Sequence, residues 1–251
     1  KNHKSSVIDI TFDKNKEDSG SLENAIERVC SLAEEAVDNG IGFIVLSDRD
    51  MNENKVPMSA LMACGAVHHH LVKAAKRTRT AIIIETGEAR EVHHFCLLFG
   101  YGADAINPYI AYEVLMQAKE ENVIKHTHYK RGAENRVPLD EYEEVIDAYR
   151  QASVKGILKV MGKMGISTLQ SYKGAQIFEA IGLNQSLINQ YFCNTSSRVE
   201  GVGIDTLSAE AFHRHRFAFA PRPDERSSPL DPGGIYQWRA NGEKHLFNPT
   251  T

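Results

Sequence analysis

Short apolar runs and longer stretches of helical periodicity alternate along this chain. The apolar runs predict buried parallel strands at residues 41–48, 80–87, 103–109 and 166–172, and an alternating run predicts another at 6–12. A helical period predicts helices at about 22–38, 58–77, 88–100, 110–121, 140–164, 174–182, 184–192 and 205–218. This order predicts an α/β fold in which parallel βα units form a partial or degenerate (β/α) barrel-like domain, because five or six strands are too few for a complete eight-stranded barrel.

Two stretches break this rhythm. Residues 126–138 are polar without any period and predict an exposed connection, whereas residues 220–234 are rich in proline and predict a linker. The chain beyond the linker holds the only Trp but too few apolar residues for a core of its own. We therefore predict a main domain over 1–219, a linker over 220–234 and the incomplete start of a second domain over 235–251.

Composition argues against two classes of partner. The formal net charge of the 251-residue chain is −4, which gives no electrostatic basis for binding nucleic acid or an anionic membrane surface. No apolar run approaches the roughly 20 residues of a transmembrane helix. We therefore expect neither nucleic acid nor membrane as a partner.

The cysteines bear on metal content and compartment. Cys30, Cys64, Cys96 and Cys193 are far apart and form no CxxC pair. Iron–sulfur and zinc sites usually draw at least some ligands from one short loop. Each cysteine also lies in an apolar run, as small buried thiols do. We expect no cluster or zinc in this chain, and reduced thiols in an intracellular protein.

Four polar residues alternate as in a calcium-binding loop: Asp48, Asp50, Asn52 and Asn54. The sixth position of such a loop needs glycine for a sharp turn, and here it is Glu53. The twelfth position needs a bidentate carboxylate, and here it is Ser59. A polar loop between a strand and a helix is therefore the better interpretation.

Histidines cluster at three places in the sequence: His68–His70, His93–His94 and His213 with His215. Neighbouring residues on a helix point in different directions, so three consecutive histidines cannot converge on one ion, whereas a helical metal pair needs i, i+4 spacing. A buried stripe is predicted at Ala60, Ala63, Cys64, Val67 and Leu71. We interpret the histidines as packing beside such stripes, with metal binding as the alternative.

Residues Gly100 to Asp104 form a glycine-containing turn before the strand at 103–109. A dinucleotide-binding fingerprint has three spaced glycines after a strand and before a helix. Here two glycines precede the strand, so we interpret them as allowing close packing of helix and strand. Asn107-Pro108 is expected to end that strand.

Charged residues follow the strand at 80–87: Glu85, Glu88, Arg90 and Glu91. Barrel enzymes place catalytic groups at such carboxyl ends of strands, but charges at a helix start are also ordinary partners of the helix dipole. Two lysines, Lys163 and Lys173, lie in the segment Lys159 to Gln176 and are candidates to contact a phosphate or carboxylate. The alternative is that they are solvated residues at helix ends.

The segment Lys159 to Gln176, KVMGKMGISTLQSYKGAQ, is the most distinctive in the chain. It resembles the segment with which glutamate synthases leave their central domain. Other irregular motifs resemble the same family in the same order: RTRTAIIIETGEAREVHHFCLLFGYGADAINPY at 77–109, SRVEGVGIDTL at 197–207 and LDPGGIYQWR at 230–239. The resemblance runs from about residue 6 to 249. The family includes ferredoxin-type and NAD(P)H-type large chains, and the resemblance does not distinguish between them.

The resemblance implies a place for this chain within a larger flavoenzyme. In that family an amidotransferase domain releases ammonia from glutamine, and a flavin domain uses FMN and a [3Fe-4S] cluster to convert 2-oxoglutarate to glutamate. The chain is similar to the later part of the central domain that links these sites, plus the start of the FMN-binding domain. It lacks positions matching the family's catalytic, cofactor-binding and cluster residues, so none is assigned in this segment.

The resemblance therefore implies a connecting scaffold that shapes the ammonia path, in an oxidoreductase of ammonia assimilation. Its partners would be the remaining domains of the same polypeptide, and ferredoxin or an NAD(P)H-oxidising subunit or domain. The isolated chain is expected to be inactive and free of cofactor, and the parent to be cytoplasmic or plastid. The alternative is a free-standing barrel-like binding or structural module without redox chemistry.

Overall fold

Strands and helices alternate along most of the chain in the computed structural model, which describes residues 4–15, 20–124, 140–220, 234 and 237–251. The strands are β1 (Ser5–Asp9), β2 (Thr11–Asp13), β3 (Phe43–Ser47), β4 (Lys55–Pro57), β5 (Ala81–Glu85), β6 (Ala105–Asn107), β7 (Glu179–Leu183) and β8 (Ser196–Val202). The α-helices are α1 (Ser21–Asp38), α2 (Ala60–Lys73), α3 (Val92–Gly100), α4 (Tyr109–Glu120), α5 (Glu141–Met164), α6 (Leu169–Tyr172), α7 (Gln185–Tyr191) and α8 (Ile204–Ala218). A short 3-10 helix covers Arg77–Arg79.

The main sheet has four parallel strands in the order β1-β3-β5-β6. Each βα unit adds its strand beside the previous one, so α1, α2 and α3 lie on one face of the sheet, as right-handed crossovers require. The strand residues on that face form the core with the helices: Ile8, Ile44, Leu46, Ile82 and Ile84, each 0–4% exposed. The predicted α/β class with parallel βα units is confirmed, while the partial or degenerate barrel-like form stays a prediction.

Local sequence explains where the helices stop. The amphipathic helix α1 ends at Asp38 with Asn39 as its C-cap, and the following Gly40 has a φ of 75°, a left-handed conformation that glycine adopts without strain. Helix α5 begins with a capping box in which the Asp140 side chain accepts hydrogen bonds from backbone amides and Glu143 bonds back. It ends at Gly165, whose φ is 71°. The predictions of helices over 22–38 and 140–164 are thus confirmed.

Two predicted elements after α5 are wrong. Residues 166–172 were predicted to be a strand, but they form a loop and the single-turn helix α6, because the Thr168 side chain accepts the Ser171 amide as an N-cap. Residues 174–182 were predicted to be a helix, but strand β7 occupies their second half. Positive φ angles at Gly174 and Gln176 interrupt any helix there.

The predicted strand at 6–12 is two strands in different sheets. The chain divides at Ile10, which is fully buried, and β2 then pairs antiparallel with β4. Besides β7, two strands were missed: β4, which contains Pro57, and β8, which pairs with β7 in a parallel two-stranded sheet. Strand β4 is short and most residues of β8 are exposed, so neither has an apolar pattern that would predict a strand.

The chain divides into two compact units, Lys1–Arg216 and Phe217–Thr251. In the second unit a turn is held by Asn248 and Thr251, while Leu246 and Phe247 are 82% and 83% exposed. The predicted connection at 126–138 and most of the predicted linker at 220–234 lie outside the described residues. No helix within the described ranges is long and apolar enough to cross a membrane.

Candidate functional site

Polar side chains gather at the carboxyl end of the main sheet. Because its strands are parallel and in register, Asp9, Ser47, Glu85 and Asn107 form one row across β1, β3, β5 and β6. Ligand sites of α/β proteins form at this edge of the sheet. This edge is therefore the candidate functional site.

Glu85 is the centre of this row. Its carboxylate accepts hydrogen bonds from Ser47 Oγ at 2.6 Å and Asn107 Nδ2 at 3.1 Å, and pairs with Arg49 Nε at 3.2 Å. Burial alone raises the pKa of Glu85, but the hydroxyl of Ser47 and the charge of Arg49 outweigh it, so the pKa lies below its usual value. Glu85 is thus an ionised group that ties three strands together, and a poor general base.

Asp48 and Tyr109 lie just beyond the row. The buried carboxylate of Asp48 accepts hydrogen bonds from Thr86 Oγ1 at 2.5 Å and from the Gly87 amide at 3.1 Å. The Tyr109 hydroxyl is buried without a hydrogen-bond partner within the described residues, and the Arg49 guanidinium lies 4.1 Å from its ring centroid. Burial first, and then the neighbouring Asp48 carboxylate, raises the pKa of Tyr109.

The four residues that alternate as in a calcium loop do not converge in the structure. Asp48 faces the loop after β5, whereas Asp50 pairs with Lys55 Nζ at 3.4 Å. The Asn52 side chain donates to the backbone of Asp50 and accepts from the amide of Asn54. The loop therefore holds itself by its own polar groups, which fits the polar-loop interpretation.

Glu88, Arg90 and Glu91 follow β5. Glu88 Oε2 accepts a hydrogen bond from the Ala60 amide at 2.8 Å, so this carboxylate caps the first turn of α2. It lines a cavity of about 470 Å³ together with Arg90 and Arg214. Glu91 pairs with His94 at 3.4 Å. Structural roles at helix starts account for both acidic residues.

A second charged cluster lies at the opposite, amino-terminal end of the sheet and is centred on Asp104. Its carboxylate accepts hydrogen bonds from the Ile82 amide and from Arg77 Nη2, both at 2.8 Å, and pairs closely with Lys173 Nζ. Burial alone raises the pKa of Asp104, but these hydrogen bonds outweigh it and hold the pKa below its usual value. Lys173 therefore does contact a carboxylate, and that carboxylate belongs to this chain. Lys163, by contrast, is exposed in the last turn of α5.

The Asp104 cluster clamps the distinctive segment onto the glycine turn. The Gly174 amide donates to the Gly100 carbonyl at 2.9 Å, next to the pair between Lys173 and Asp104. A Cβ at Gly100 would lie 2.7 Å from the Phe178 ring, and one at Gly102 would lie 2.2 Å from His68 Nδ1. The interpretation that these glycines allow close packing is thus supported. The glycine turn and the distinctive segment, which are far apart in sequence, therefore contact each other in the fold.

His68, His69 and His70 each have partners other than a metal. His68 Nδ1 accepts a hydrogen bond from Arg77 Nε at 3.0 Å, and His70 Nε2 lies 2.7 Å from a Glu34 oxygen. Burial, followed by the charge of Arg77, lowers the pKa of His68 to about 4, so this ring is neutral near pH 7. The His69 ring packs edge-on against that of His68.

Other histidines and three of the four cysteines are also in packing positions, whereas His213 is exposed. His93 packs edge-on against Phe178, and the buried His215 donates a hydrogen bond from Nε2 to the Asn52 carbonyl at 2.8 Å. Burial raises the pKa of Cys30 to about 11 and that of Cys64 to about 12, so neither thiol forms a reactive thiolate at neutral pH. In the part of the chain that the structure describes, no group of three or more potential ligands could hold a metal.

Sequence reasoning missed Arg77, Asp104 and the unpartnered hydroxyl of Tyr109. A signal for the first two was present. Arg77 stands just before the predicted strand at 80–87 and Asp104 lies at the start of the one at 103–109, and the amino ends of these strands must be close if they are parallel neighbours. For Tyr109, the sequence shows only an aromatic residue after Asn107-Pro108.

Fold and site together define an α/β domain in which parallel βα units are added in chain order and charged side chains mainly pair with one another. The chain belongs to the glutamate synthase family: the sequence profile of the glutamate synthase central domain matches residues 1–184. The family predicted from the sequence motifs is therefore confirmed.

Similarity to characterised relatives extends over nearly the whole chain. It is 44% identical over 248 residues to the large chain of the NADPH glutamate synthase of Bacillus subtilis, which covers 99% of this chain and 15% of that relative. It is 43% identical over 244 residues to the NADH glutamate synthase of Saccharomyces cerevisiae, covering 97% and 11%. It is 36% identical over 248 residues to the chloroplastic ferredoxin-dependent glutamate synthase of Spinacia oleracea, covering 98% and 15%. The chain thus spans only 11–15% of the length of these relatives.

Proposed function

We propose that this chain is a connecting segment of a glutamate synthase, an oxidoreductase that converts glutamine and 2-oxoglutarate to two molecules of glutamate. The observation that carries the proposal is the 44% identity along 99% of the chain to a glutamate synthase large chain, together with the central-domain match over residues 1–184. The segment joins and braces the amidotransferase and flavin sites and shapes the path of ammonia between them.

The bonding of the charged side chains supports a bracing role over a catalytic one. Glu85 ties β3, β5 and β6, Glu88 caps α2, and Lys173 joins the distinctive segment to Asp104. Each of these groups already has a partner within the chain, which favours bracing over the activation of a substrate. We accordingly assign no catalytic, cofactor-binding or metal residue to this segment.

The parent enzyme would hold FMN and a [3Fe-4S] cluster in other domains. Residues 235–251 would open the FMN-binding domain, residues 220–234 would be the linker to it, and residues 1–219 would be the central-domain segment. Electrons would come from ferredoxin or from an NAD(P)H-oxidising subunit or domain, and the enzyme would be cytoplasmic or plastid. The relatives named for NADPH, NADH and ferredoxin leave the choice of donor open.

Enzyme assays on the isolated chain and on the native protein test this proposal. Antibodies raised against the 251-residue chain should precipitate, from cells that make the protein, an activity that forms glutamate from glutamine and 2-oxoglutarate. The purified 251-residue chain should be colourless and inactive in the same assay. Flavin absorbance that elutes with the isolated chain in stoichiometric amount would contradict the scaffold role, and a precipitate without glutamate formation would favour a free-standing binding or structural module.

A further inference from the structure

The two faces of the main sheet differ in exposure. On the helix-covered face, Ile8 is 4% exposed and Ile44 is fully buried. On the opposite face, Val7 is 68% exposed, Val45 and Ile83 are partly exposed, and Ala105 is exposed. Adjacent residues of one strand point to opposite faces, so this contrast runs along each strand.

The exposed residues of the second face form a continuous band. Val7, Val45, Ile83 and Ala105 are aligned in register across all four strands. With neighbouring strands about 4.8 Å apart, the band extends for about 15 Å. We call it the apolar band. The next row toward the carboxyl ends is polar, so the surface changes character within one strand.

An apolar band of this kind is unusual on a sheet whose strands are all parallel. Such sheets occur almost only with both faces covered, which is why their strands are continuous apolar runs such as Ile44 to Leu46. Solvent exposure of these side chains gives up the free energy that their burial would provide. The band is therefore built to be covered.

The order of the strands indicates what covers it. Strands added in chain order with every crossover helix on one side form an arc, and the inner face of such an arc is covered when further parallel strands continue it. The polar row beside the band is already satisfied by its own partners, such as Ser47 and Asn107 on Glu85, so the missing complement is apolar.

We propose that the apolar band is an internal interface, covered in the native protein by further β-strands of the same longer polypeptide. The chain spans only 15% of the Bacillus subtilis relative, which leaves ample polypeptide for this purpose. This inference rests on the proposed function in one respect, that the native polypeptide is longer than this chain.

Thiol labelling tests the proposal. Val7→Cys places a thiol in the apolar band, and Val72→Cys, at a site 51% exposed on α2, is the matched control outside it. Both are made with Cys193→Ser, which removes the half-buried native thiol. Maleimide labelling is read by mass spectrometry of the peptide that carries each new cysteine, in the 251-residue chain and in the native-length protein.

In the 251-residue chain both cysteines should label at similar rates. In the native-length protein, labelling at residue 7 should be at least tenfold slower, while residue 72 should slow less. Equal labelling of residue 7 in both proteins would overturn the proposal. Protection of residue 7 already in the 251-residue chain would overturn it too, and a doubled mass by sedimentation would then identify a second copy as the cover. If the native polypeptide proves to be no longer than this chain, that size alone contradicts the proposed function, and the proposal that further strands cover the apolar band fails with it.

Discussion

The two ends of the main sheet each hold a carboxylate surrounded by donors, yet they are built differently. At the amino-terminal end, Asp104 is bonded to Arg77 and Lys173, whose side chains are only 14% and 13% exposed. At the carboxyl end, Glu85 is paired with Arg49, whose side chain is 48% exposed. Water screens the second ion pair far more than the first. The amino-terminal end therefore contributes more to stability, and the carboxyl end tolerates more change.

The two clusters also differ in which parts of the chain they join. Asp104 joins the 3-10 helix Arg77–Arg79 to the segment after α6, so its loss would loosen Lys173 and the loop that follows it from the sheet. Glu85 joins strands that are already hydrogen-bonded neighbours through their backbones. Removing its charge leaves that backbone ladder in place.

The largest expected effect is that of Asp104→Ala. The change leaves Arg77 and Lys173 as unpaired, largely buried cations and removes the acceptor of the Ile82 amide, which costs about 2 to 4 kcal/mol of unfolding free energy. The melting temperature should fall by roughly 5 to 15 °C. Asp38→Ala is the control, because Asp38 also pairs with a lysine but is 51% exposed, and it should cost under about 1 kcal/mol. Equal losses in the two variants would remove the distinction between buried and screened pairs.

A second test uses pH at the amino-terminal end. The unfolded chain binds a proton at His68 near pH 6.5, whereas the folded chain binds it only near pH 4, so the unfolded state holds more protons between these values. The stabilising effect of a neutral His68 is therefore fully present above about pH 6.5 and is lost as the pH falls toward 4. We expect roughly 1 to 3 kcal/mol over this window.

The variant His68→Asn should reduce this pH dependence, because an amide oxygen can still accept from Arg77 but does not titrate. Denaturant unfolding at pH 7, 6, 5 and 4 measures the slope for both proteins. His213→Asn, at an exposed position, controls for the removal of a histidine. Parallel curves for the native chain and His68→Asn would refute the role of His68.

A smaller effect is expected at the carboxyl end. Ser47 and Asn107 bond to different oxygens of Glu85, so Glu85→Gln keeps an acceptor for only one of them and also removes the charge that attracts Arg49. Since Arg49 is about half exposed, we expect a loss of about 0.5 to 1.5 kcal/mol, less than for Asp104→Ala. Thermal melts of the two variants in one buffer make the comparison. A loss at Glu85 larger than that at Asp104 would reverse our ranking of the two ends.

The smallest effect is expected from chelators. If the histidines are packing residues, removal of divalent metal should leave the melting temperature of the chain unchanged. A ligand that binds only the folded state stabilises it by RT ln(1 + [L]/Kd), so a real structural site would show a clear fall. Bound zinc found by elemental analysis, together with such a fall, would replace the packing interpretation.

How far the sequence predicts this molecule depends on whether the deciding contacts are local. The capping box of Asp140 and Glu143 and the stop at Gly40 are local, so the bounds of α5 and α1 were predictable. The prediction for the segment after α5 was wrong because the apolar sequence ISTL is typical of a strand. The Thr168 cap and the positive φ of Gly174 each affect only a single turn, so the apolar pattern does not reveal them.

The candidate site shows the same limit. Glu85 could be placed at the carboxyl end of a strand from the sequence, but its pairing with Ser47, Arg49 and Asn107 depends on which strands are neighbours. Lys173 was a candidate for binding an anion, and only the fold shows that the anion is Asp104. The local sequence pattern does not show which strands are neighbours or how their residues are aligned.

The measurement that tests the central claim most directly is the size of the native protein. An immunoblot of the cells that make it, with an antibody against this 28.0 kDa chain, should show a polypeptide several times heavier, since the chain spans only 11–15% of its relatives. A single band near 28 kDa would contradict the account that this chain is a scaffold segment of a glutamate synthase.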